Sequence, residues 1–359
     1  MSRSLHFVLA PLTWIGALVA LLCLGAATSS ACADVPLYKD AKAPIEQRVE
    51  DILKQMTLEE KLDLLGGTGF TTKPIARLGL PAIGMVDGPM GARGGTGGTQ
   101  GRASVFPCGV AMASTWDPAM IERVGWALGR ETQHKGEGAD VLLGPCVNIH
   151  RSPQGGRNAE SFGEDPYLTS RIAVGYIKGL QSTGNAACIK HFACNNQEYQ
   201  RGSINVIVDE RALREIYLPA FKAAVQEAKV WCVMDAYNCL NGPHASADDY
   251  LLNTILKKEW GFDGIVMSDW GAVHSTEGAA NGGNDLEMPT GIFLNPLRLK
   301  PLLDSGQVTQ TTIDDKVRRI LRIMIRTGLL DGPKLRDNTI MNCEEHQKIA
   351  LEAAQKAII

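Results

Sequence analysis

A (β/α)8 barrel of the TIM type, with an incomplete or irregular first strand, is the fold class the sequence predicts. Three observations carry it. Short apolar runs alternate with amphipathic stretches from about residue 46 to residue 330, the signature of parallel strands joined by helices. The apolar runs end in charged or hydrogen-bonding residues, as strands do whose C-terminal tips line a site. The chain has 359 residues, a length at which one barrel with its surrounding helices is the default.

The elements follow in order. Ile45 to Met56 is amphipathic, and Thr57-Leu58-Glu59-Glu60 is a capping box that opens a second helix. Gly84 to Val86 is a short apolar run ending in Asp87. Asp117-Pro118 places a capping side chain before a proline at the first helical position; its helix runs to about Lys135. Val141 to Val147 reads as a strand, and Asp165-Pro166 opens another helix. Ala186 to Ile189 is a strand that delivers Lys190-His191. Asp209 caps a helix to about Glu227, kinked at Pro219. Val230 to Met234 is the next strand. A helix over Asp248 to Trp260 follows, then a strand over Gly264 to Met267. Asp285 to Met288 reads as one more short strand, and Thr312 to Arg326 as an amphipathic helix with Gly328 at its C-terminal cap.

The segment Gly261-Phe262-Asp263-Gly264-Ile265-Val266-Met267-Ser268-Asp269-Trp270 is the most informative. A strand buried on both faces reads as a continuous apolar run, and this one presents a carboxylate and an indole at its tip. Asp269 is the candidate nucleophile and Trp270 a flat wall beside it; the plainer reading of Asp269 is a helix cap.

Bulk properties exclude several classes. The chain is 45% hydrophobic and 21% charged with a net charge of -3, so it has neither the basic stripe of a nucleic-acid binder nor the composition of a disordered protein. Residues 1–33 read as a signal peptide: Arg3 is the positive start, Leu12 to Ala27 the apolar stretch, and Ala31-Cys32-Ala33 the small-residue cleavage site. The expected location is therefore secreted or periplasmic, with no stable membrane span once that segment is removed. Of nine cysteines, seven lie beyond it, and none forms a CxxC pair, so no zinc ribbon is expected and the thiols are read as mostly reduced and buried. Gly94 to Gly98 is a glycine-rich loop without the Gly-Lys-Ser/Thr of a nucleotide-binding loop. The chain has no HExxH or His-x-His pair, so neither a metal nor another cofactor is expected.

Polar residues collect at the strand tips. Asp87 and Arg93 follow the first run. Asn148, His150 and the stretch from Gly155 to Pro166, which holds Arg157, Glu160 and Glu164, follow the second. Lys190, His191 and then Arg201 follow the third, Met234 and Tyr237 the next, and Asp269 and Trp270 the last. This mixture suits a pyranose. Hydroxyls that donate and accept need carboxylates, Lys, Arg and His at several angles; the apolar ring face needs Tyr or Trp; the anomeric carbon needs one close carboxylate. Glu160, Glu164 and Asp165 read equally as loop braces and a helix cap, Asp235 and Glu198 as loop hydrogen-bonders, and His134, His244 and His346 as surface residues.

Val86 to Arg93, Gly156-Arg157-Asn158 with Glu164-Asp165-Pro166, Lys190-His191-Phe192 with Gln197-Glu198, Met234 to Asn238 and Ser268-Asp269-Trp270 together resemble the N-terminal domain of glycoside hydrolase family 3, the family of secreted β-glucosidases and β-xylosidases. The likeness covers about residues 45 to 335. It implies exo-acting, retaining hydrolysis of terminal non-reducing β-D-glucosyl residues through a covalent glycosyl-enzyme on Asp269. It also implies that Asp87, Arg93, Arg157, Lys190, His191, Arg201, Met234, Tyr237 and Trp270 surround the terminal sugar. The loop Lys190-His191-Phe192-Ala193-Cys194-Asn195-Asn196-Gln197-Glu198 departs from the Lys-His-Phe-Pro-Gly type of the family's single-domain N-acetylglucosaminidases and disfavours that branch.

In two-domain members the general acid/base glutamate comes from an α/β sandwich after the barrel. The expected organisation is thus a signal peptide over 1–33, the barrel over 34–335, and a linker with the start of a missing second domain over 336–359. The acid/base is expected beyond Ile359, and the isolated chain is expected to be impaired. The partners implied are β-linked glucosides or oligosaccharides and the missing domain. The alternatives are a β-xylosidase of the same family and a catalytically deficient sugar-binding fragment.

Overall fold

The computed structural model describes residues 36–95, 102–135 and 138–358. The expected signal peptide and most of the Gly94 to Gly98 loop lie outside them. The residues from Leu37 onward form one compact unit.

Six short strands make a mixed sheet: β1 (Met85–Asp87), β2 (Arg93–Gly95), β3 (Val141–Leu143), β4 (Ala186–Phe192), and, after β5 (Asn205–Val206), which lies outside this sheet, β6 (Cys232–Asp235). Following β7 (Cys239–Leu240), which pairs with β5, comes β8 (Ile265–Met267). The order is β2-β1-β3-β4-β6-β8. All pairs are parallel except the β1–β2 hairpin. Beyond β8, single bridges continue the pairing: Met267 with Leu286 and Gly66 with Glu287 in parallel, then Thr68 with Thr290 and Thr71 with Gly84 antiparallel.

Alternation along the strands explains why each reads as an unbroken apolar run. Met85, Val141, Leu143, Cys188, Cys232, Met234, Ile265 and Met267 belong to one buried cluster. Val86, Leu142, Ala187, Ile189, Val233 and Val266 belong to another. With side chains alternating between faces and both faces covered, no position is left polar until the strand ends.

The helix starts are those the sequence dictates. Thr57 Oγ1 accepts from Glu60 N and Glu60 Oε2 accepts from Thr57 N, completing the capping box. Asp117 caps Pro118–His134, Asp165 caps Pro166–Gln181 and Asp209 caps Glu210–Ala212. The Pro118–His134 and Pro166–Gln181 helices cross closely because glycines face them: a Cβ on Gly179 would lie 1.8 Å from Glu122 O, and one on Gly125 would lie 2.2 Å from Tyr176 O.

Several expectations need correction. The strand expected over Val141 to Val147 is regular only through Leu143; Pro145 has no N–H to give, yet backbone bonding to β4 continues, with Gly144 O accepting from Cys188 N, Pro145 O from Lys190 N, and Val147 N donating to Lys190 O. Asp285 to Met288 forms bridges at Leu286 and Glu287 rather than a strand. The helix capped by Asp209 opens into a π-helical turn over Leu213–Tyr217 before Pro219 begins a new helix, because Pro219 has no N–H to give the preceding turn. Tyr250–Glu259 is π-helical throughout. The helix expected from Thr312 starts at Gln310 and ends at Arg326; Thr327 caps it and Gly328, at φ 69°, follows.

His134 and His346 are buried, not superficial. His134 Nδ1 accepts from Asp337 N, and His346 Nδ1 lies 2.8 Å from Glu131 Oε1. The second pair fastens the helix Glu344–Lys356 to Pro118–His134. All seven cysteines in the described residues are free thiols, four of them buried. Among the described residues no helix is long and apolar enough to cross a membrane.

Candidate active site

The parallel strands put their C-terminal tips on one side of the sheet, and there the sequence-predicted residues gather. Asp87 ends β1, and the antiparallel turn into β2 sets Arg93 opposite it. Asp87 Oδ2 accepts from Arg93 Nη2 at 3.0 Å and Nε at 3.3 Å, while Oδ1 accepts from Lys190 Nζ at 3.1 Å. Burial alone would push the Asp87 carboxyl up; the two cations outweigh it and hold it below its usual range.

Lys190 and His191 leave β4 where its pairing with β6 shifts register, between Ile189 and Phe192. Asn148, on the loop after β3, then fixes His191. Its Oδ1 accepts from His191 N at 3.1 Å and lies 3.0 Å from His191 Nδ1, and its Nδ2 donates to His191 O at 2.9 Å. An amide oxygen cannot donate, so Nδ1 carries the proton. At the other side of the ring, Arg157 Nη1 lies 3.2 Å from Nε2, and a guanidinium can only donate, so Nε2 offers its lone pair. Burial and the charges of Arg157, Lys190 and Arg201 push the His191 pKa well down, in agreement with a neutral ring of this tautomer.

That assignment decides the state of Asp269. The residue is 7% exposed and lies two positions past β8. Its Oδ1 accepts from Trp270 N at 2.7 Å. Its Oδ2 is 3.4 Å from His191 Nε2, but that nitrogen has no proton to give. Oδ2 makes no well-formed hydrogen bond among the described residues; the Tyr237 hydroxyl, which donates to Trp270 O, is still near enough to help hold the Asp269 carboxyl down. Oδ2 is the kind of buried, unpartnered acceptor that a ligand completes. Burial raises the Asp269 pKa, while Lys190, the Trp270 N–H, Arg157 and Tyr237 pull it back.

The wall is aromatic. Trp270 donates Nε1 to Gly69 O at 3.1 Å and packs on Phe70 with ring centroids 4.9 Å apart. Tyr237 donates to Trp270 O at 3.0 Å, and the Arg201 guanidinium lies 4.2 Å from the Tyr237 ring centroid. Two nearby carboxylates already have a cation: Glu160 pairs with Arg157 at 2.9 Å and Glu198 with Arg201 at 2.5 Å. Met234, at 1% exposure, is packed in the buried cluster inside the strands. Glu164 is exposed. No group of three or more metal-ligating side chains occurs among the described residues. A surface cleft of about 920 Å³ lies elsewhere, between Trp126, Arg123 and Glu345 on the helical wall, and contains none of these residues.

The residues sequence reasoning undervalued are Asn148 and Asp235. Asp235 is fully buried and accepts from Asp269 N at 3.2 Å and from Asn284 Nδ2 at 2.7 Å. Its position at the end of the run Val230 to Asp235, facing the strand that bears Asp269, was the available signal.

The fold and site define an α/β domain whose strand tips present one open carboxylate among cations and aromatic faces. Residues 59–323 match the model of the glycosyl hydrolase family 3 N-terminal domain, and the chain belongs to that family. It is 42% identical over 348 residues to beta-glucosidase BoGH3A of Bacteroides ovatus, covering 90% of this chain and 46% of that protein. It is 47% identical over 316 residues to a beta-glucosidase of Rhizobium radiobacter, covering 87% and 38%. The structure of beta-glucosidase 3B from Thermotoga neapolitana in complex with alpha-D-glucose superimposes with a TM-score of 0.78 at 38% identity, covering 86% of this chain and 47% of that one. The chain thus spans less than half the length of each.

Proposed function

We propose that this chain supplies the nucleophile-bearing half of an exported, exo-acting, retaining β-glucosidase, and that its strands and bridges form an irregular barrel around the site. The observation that carries the reading is Asp269 Oδ2, buried and without a well-formed hydrogen bond among the described residues, beside a neutral His191 and a Trp270 wall. Asp269 Oδ2 attacks the anomeric carbon of a terminal β-glucosyl unit, and the bond to the leaving oxygen breaks with its electron pair. Asp87, Lys190, Arg157 and His191 hold the sugar hydroxyls, with Arg93, Arg201 and Tyr237 around them and Met234 packed beneath. Water later cleaves the covalent ester and restores the carboxylate. Retention at the anomeric carbon follows from two displacements.

The leaving oxygen needs a proton, from a second carboxyl about 5–5.5 Å from the nucleophile in retaining enzymes. Asp87, bonded to Lys190 and Arg93 and held below its usual range, is a poor proton donor, and Glu160 and Glu198 are each engaged by an arginine. As the family resemblance implies, the acid/base glutamate is assigned to sequence beyond Ile359. Positioned acid–base help is worth about 10²–10⁴ in rate, so the isolated chain should hydrolyse cellobiose slowly. It should still release one equivalent of aglycone from an activated aryl β-glucoside, faster than from the matching β-xyloside. Cellobiose turnover equal to that of a full-length relative would put the acid/base within this chain. No aglycone release from either aryl glycoside would leave only sugar binding.

A further inference from the structure

The last backbone pairing between β6 and β8 joins Met234 to Met267. One residue further on, Asp235 lies opposite Ser268 and the ladder stops. The Asp235 side chain takes over there: its Oδ1 accepts the Asp269 N–H at 3.2 Å. On the other side, Ser268 is anchored to the chain after Leu286. Ser268 N donates to Leu286 O at 2.9 Å, and Ser268 Oγ accepts from Met288 N at 2.8 Å. The tip that carries Asp269 is therefore held from both sides, and on the β6 side by a side chain where backbone would be expected.

Asp235 is an expensive residue for that task. It is completely buried, no Lys, Arg or His forms an ion pair with it among the described residues, and both its donors are neutral. A buried carboxylate without a cation is costly to keep ionised, and burial pushes its pKa well up. Asn284 is its support: Nδ2 donates to Asp235 Oδ2 at 2.7 Å, while Asn284 Oδ1 has no partner. Lys316 in turn donates to Asn284 O at 2.5 Å. A half-turn of the Asn284 amide exchanges donor for acceptor at the same place, so this partner suits an anionic carboxyl, a protonated one or an amide at position 235.

We infer that Asp235, held by Asn284, is a positioning residue for the reaction proposed above: it fixes the Asp269 backbone and thereby the direction in which Oδ2 points. It touches neither sugar nor reacting atoms, and the inference rests on the reading of Asp269 as nucleophile.

The test uses Asp235→Ala, Asp235→Asn and Asn284→Ala in the full chain, with two readouts. Hydrogen–deuterium exchange of the peptide spanning residues 267–272 reports the hold on the Asp269 N–H. The rate of covalent labelling by 2,4-dinitrophenyl 2-deoxy-2-fluoro-β-glucoside reports the consequence, and glucose affinity serves as the control. Asp235→Ala should speed exchange there and slow labelling about ten- to a hundredfold, the range expected for a displaced reacting group, with glucose affinity within about twofold because the hydroxyl-binding groups are intact. Asp235→Asn keeps an oxygen for Asp269 N and a donor for the turned Asn284 amide, so it should restore labelling. Asn284→Ala should act like a milder Asp235→Ala and serves if that variant fails to fold. A purely structural role would lower the unfolding temperature and leave labelling unchanged. Labelling at the wild-type rate in both alanine variants, or unchanged exchange at residues 267–272, overturns the inference. A wild-type chain that is never labelled refutes the nucleophile reading instead, and the exchange result still decides whether Asp235 holds the strand tip.

Discussion

Lys190→Met is the most revealing single substitution, because one buried ammonium acts on two carboxylates. Lys190 Nζ is 3.1 Å from Asp87 Oδ1 with its side chain 4% exposed, and its charge is the strongest influence opposing the burial that raises Asp269. Methionine keeps most of the volume and removes the charge. A hydrogen bond to a charged group contributes about 1.5–3 kcal/mol, and about 1.4 kcal/mol is tenfold, so glucose should bind about 10- to 150-fold more weakly. Arg93 stays on Asp87, but at 60% exposure it is screened by solvent and compensates little. The second effect has a definite sign. As the proposed nucleophile, Asp269 would react as the carboxylate, and its pKa already stands above the usual value because it is buried. Without Lys190 it rises further, so the acid limb of the labelling rate moves to higher pH. Glucose titration by calorimetry and labelling rates from acidic to neutral pH read the two effects separately. Unchanged glucose affinity, or an acid limb that stays in place or moves down, would refute the electrostatic account of the site.

Asp269→Asn should stabilise the fold at neutral pH. The folded pKa is raised by burial, so the folded state holds this proton more tightly than the unfolded chain; the cost of the charge is fully present above the folded pKa and fades as pH falls through it. Thermal unfolding should therefore show a gain that shrinks in acid. Arg48, 2% exposed, bonds Asp331 at 2.6 Å and Tyr38 O at 2.9 Å. Asp331→Ala, which strands the buried guanidinium, should cost about 3–5 kcal/mol, and Arg48→Met less, since Asp331 is 33% exposed and regains water. Urea denaturation measures both. Gly179→Ala should cost at least about 1–3 kcal/mol, because its Cβ would lie 1.8 Å from the backbone oxygen of Glu122 and one helix must retreat.

What the sequence revealed is what short-range chemistry decides. The caps at Thr57, Asp117, Asp165 and Asp209 each bond within three residues, so their helices could be read directly. The strand tips were legible because burial on both faces leaves polarity only at the end, which singled out Asp87, Lys190, His191 and Asp269. Strand extents were not: Asp285 to Met288 alternates acidic and apolar residues as a strand can, and whether it pairs depends on residues near Gly66, more than two hundred positions away. The burial of His346 depends on Glu131, and the role of Asp235 on Asn284 and Asp269. No local pattern encodes such contacts; a lone acidic residue after an apolar run reads the same whether it meets solvent or a neighbouring strand tip. The π-helical course of Tyr250–Glu259 likewise leaves no periodic mark distinct from an α-helix.

The central claim is that Asp269 forms the covalent bond to the sugar. Incubating the chain with an activated 2-deoxy-2-fluoro-β-glucoside, digesting it and mapping the label by mass spectrometry tests this directly. The account predicts one added fluoroglucosyl group, carried by Asp269 and absent from Asp269→Ala. A label on Asp87, Glu160, Glu198 or any other carboxylate, or an Asp269→Ala chain that is labelled as fast as the wild type, would contradict it.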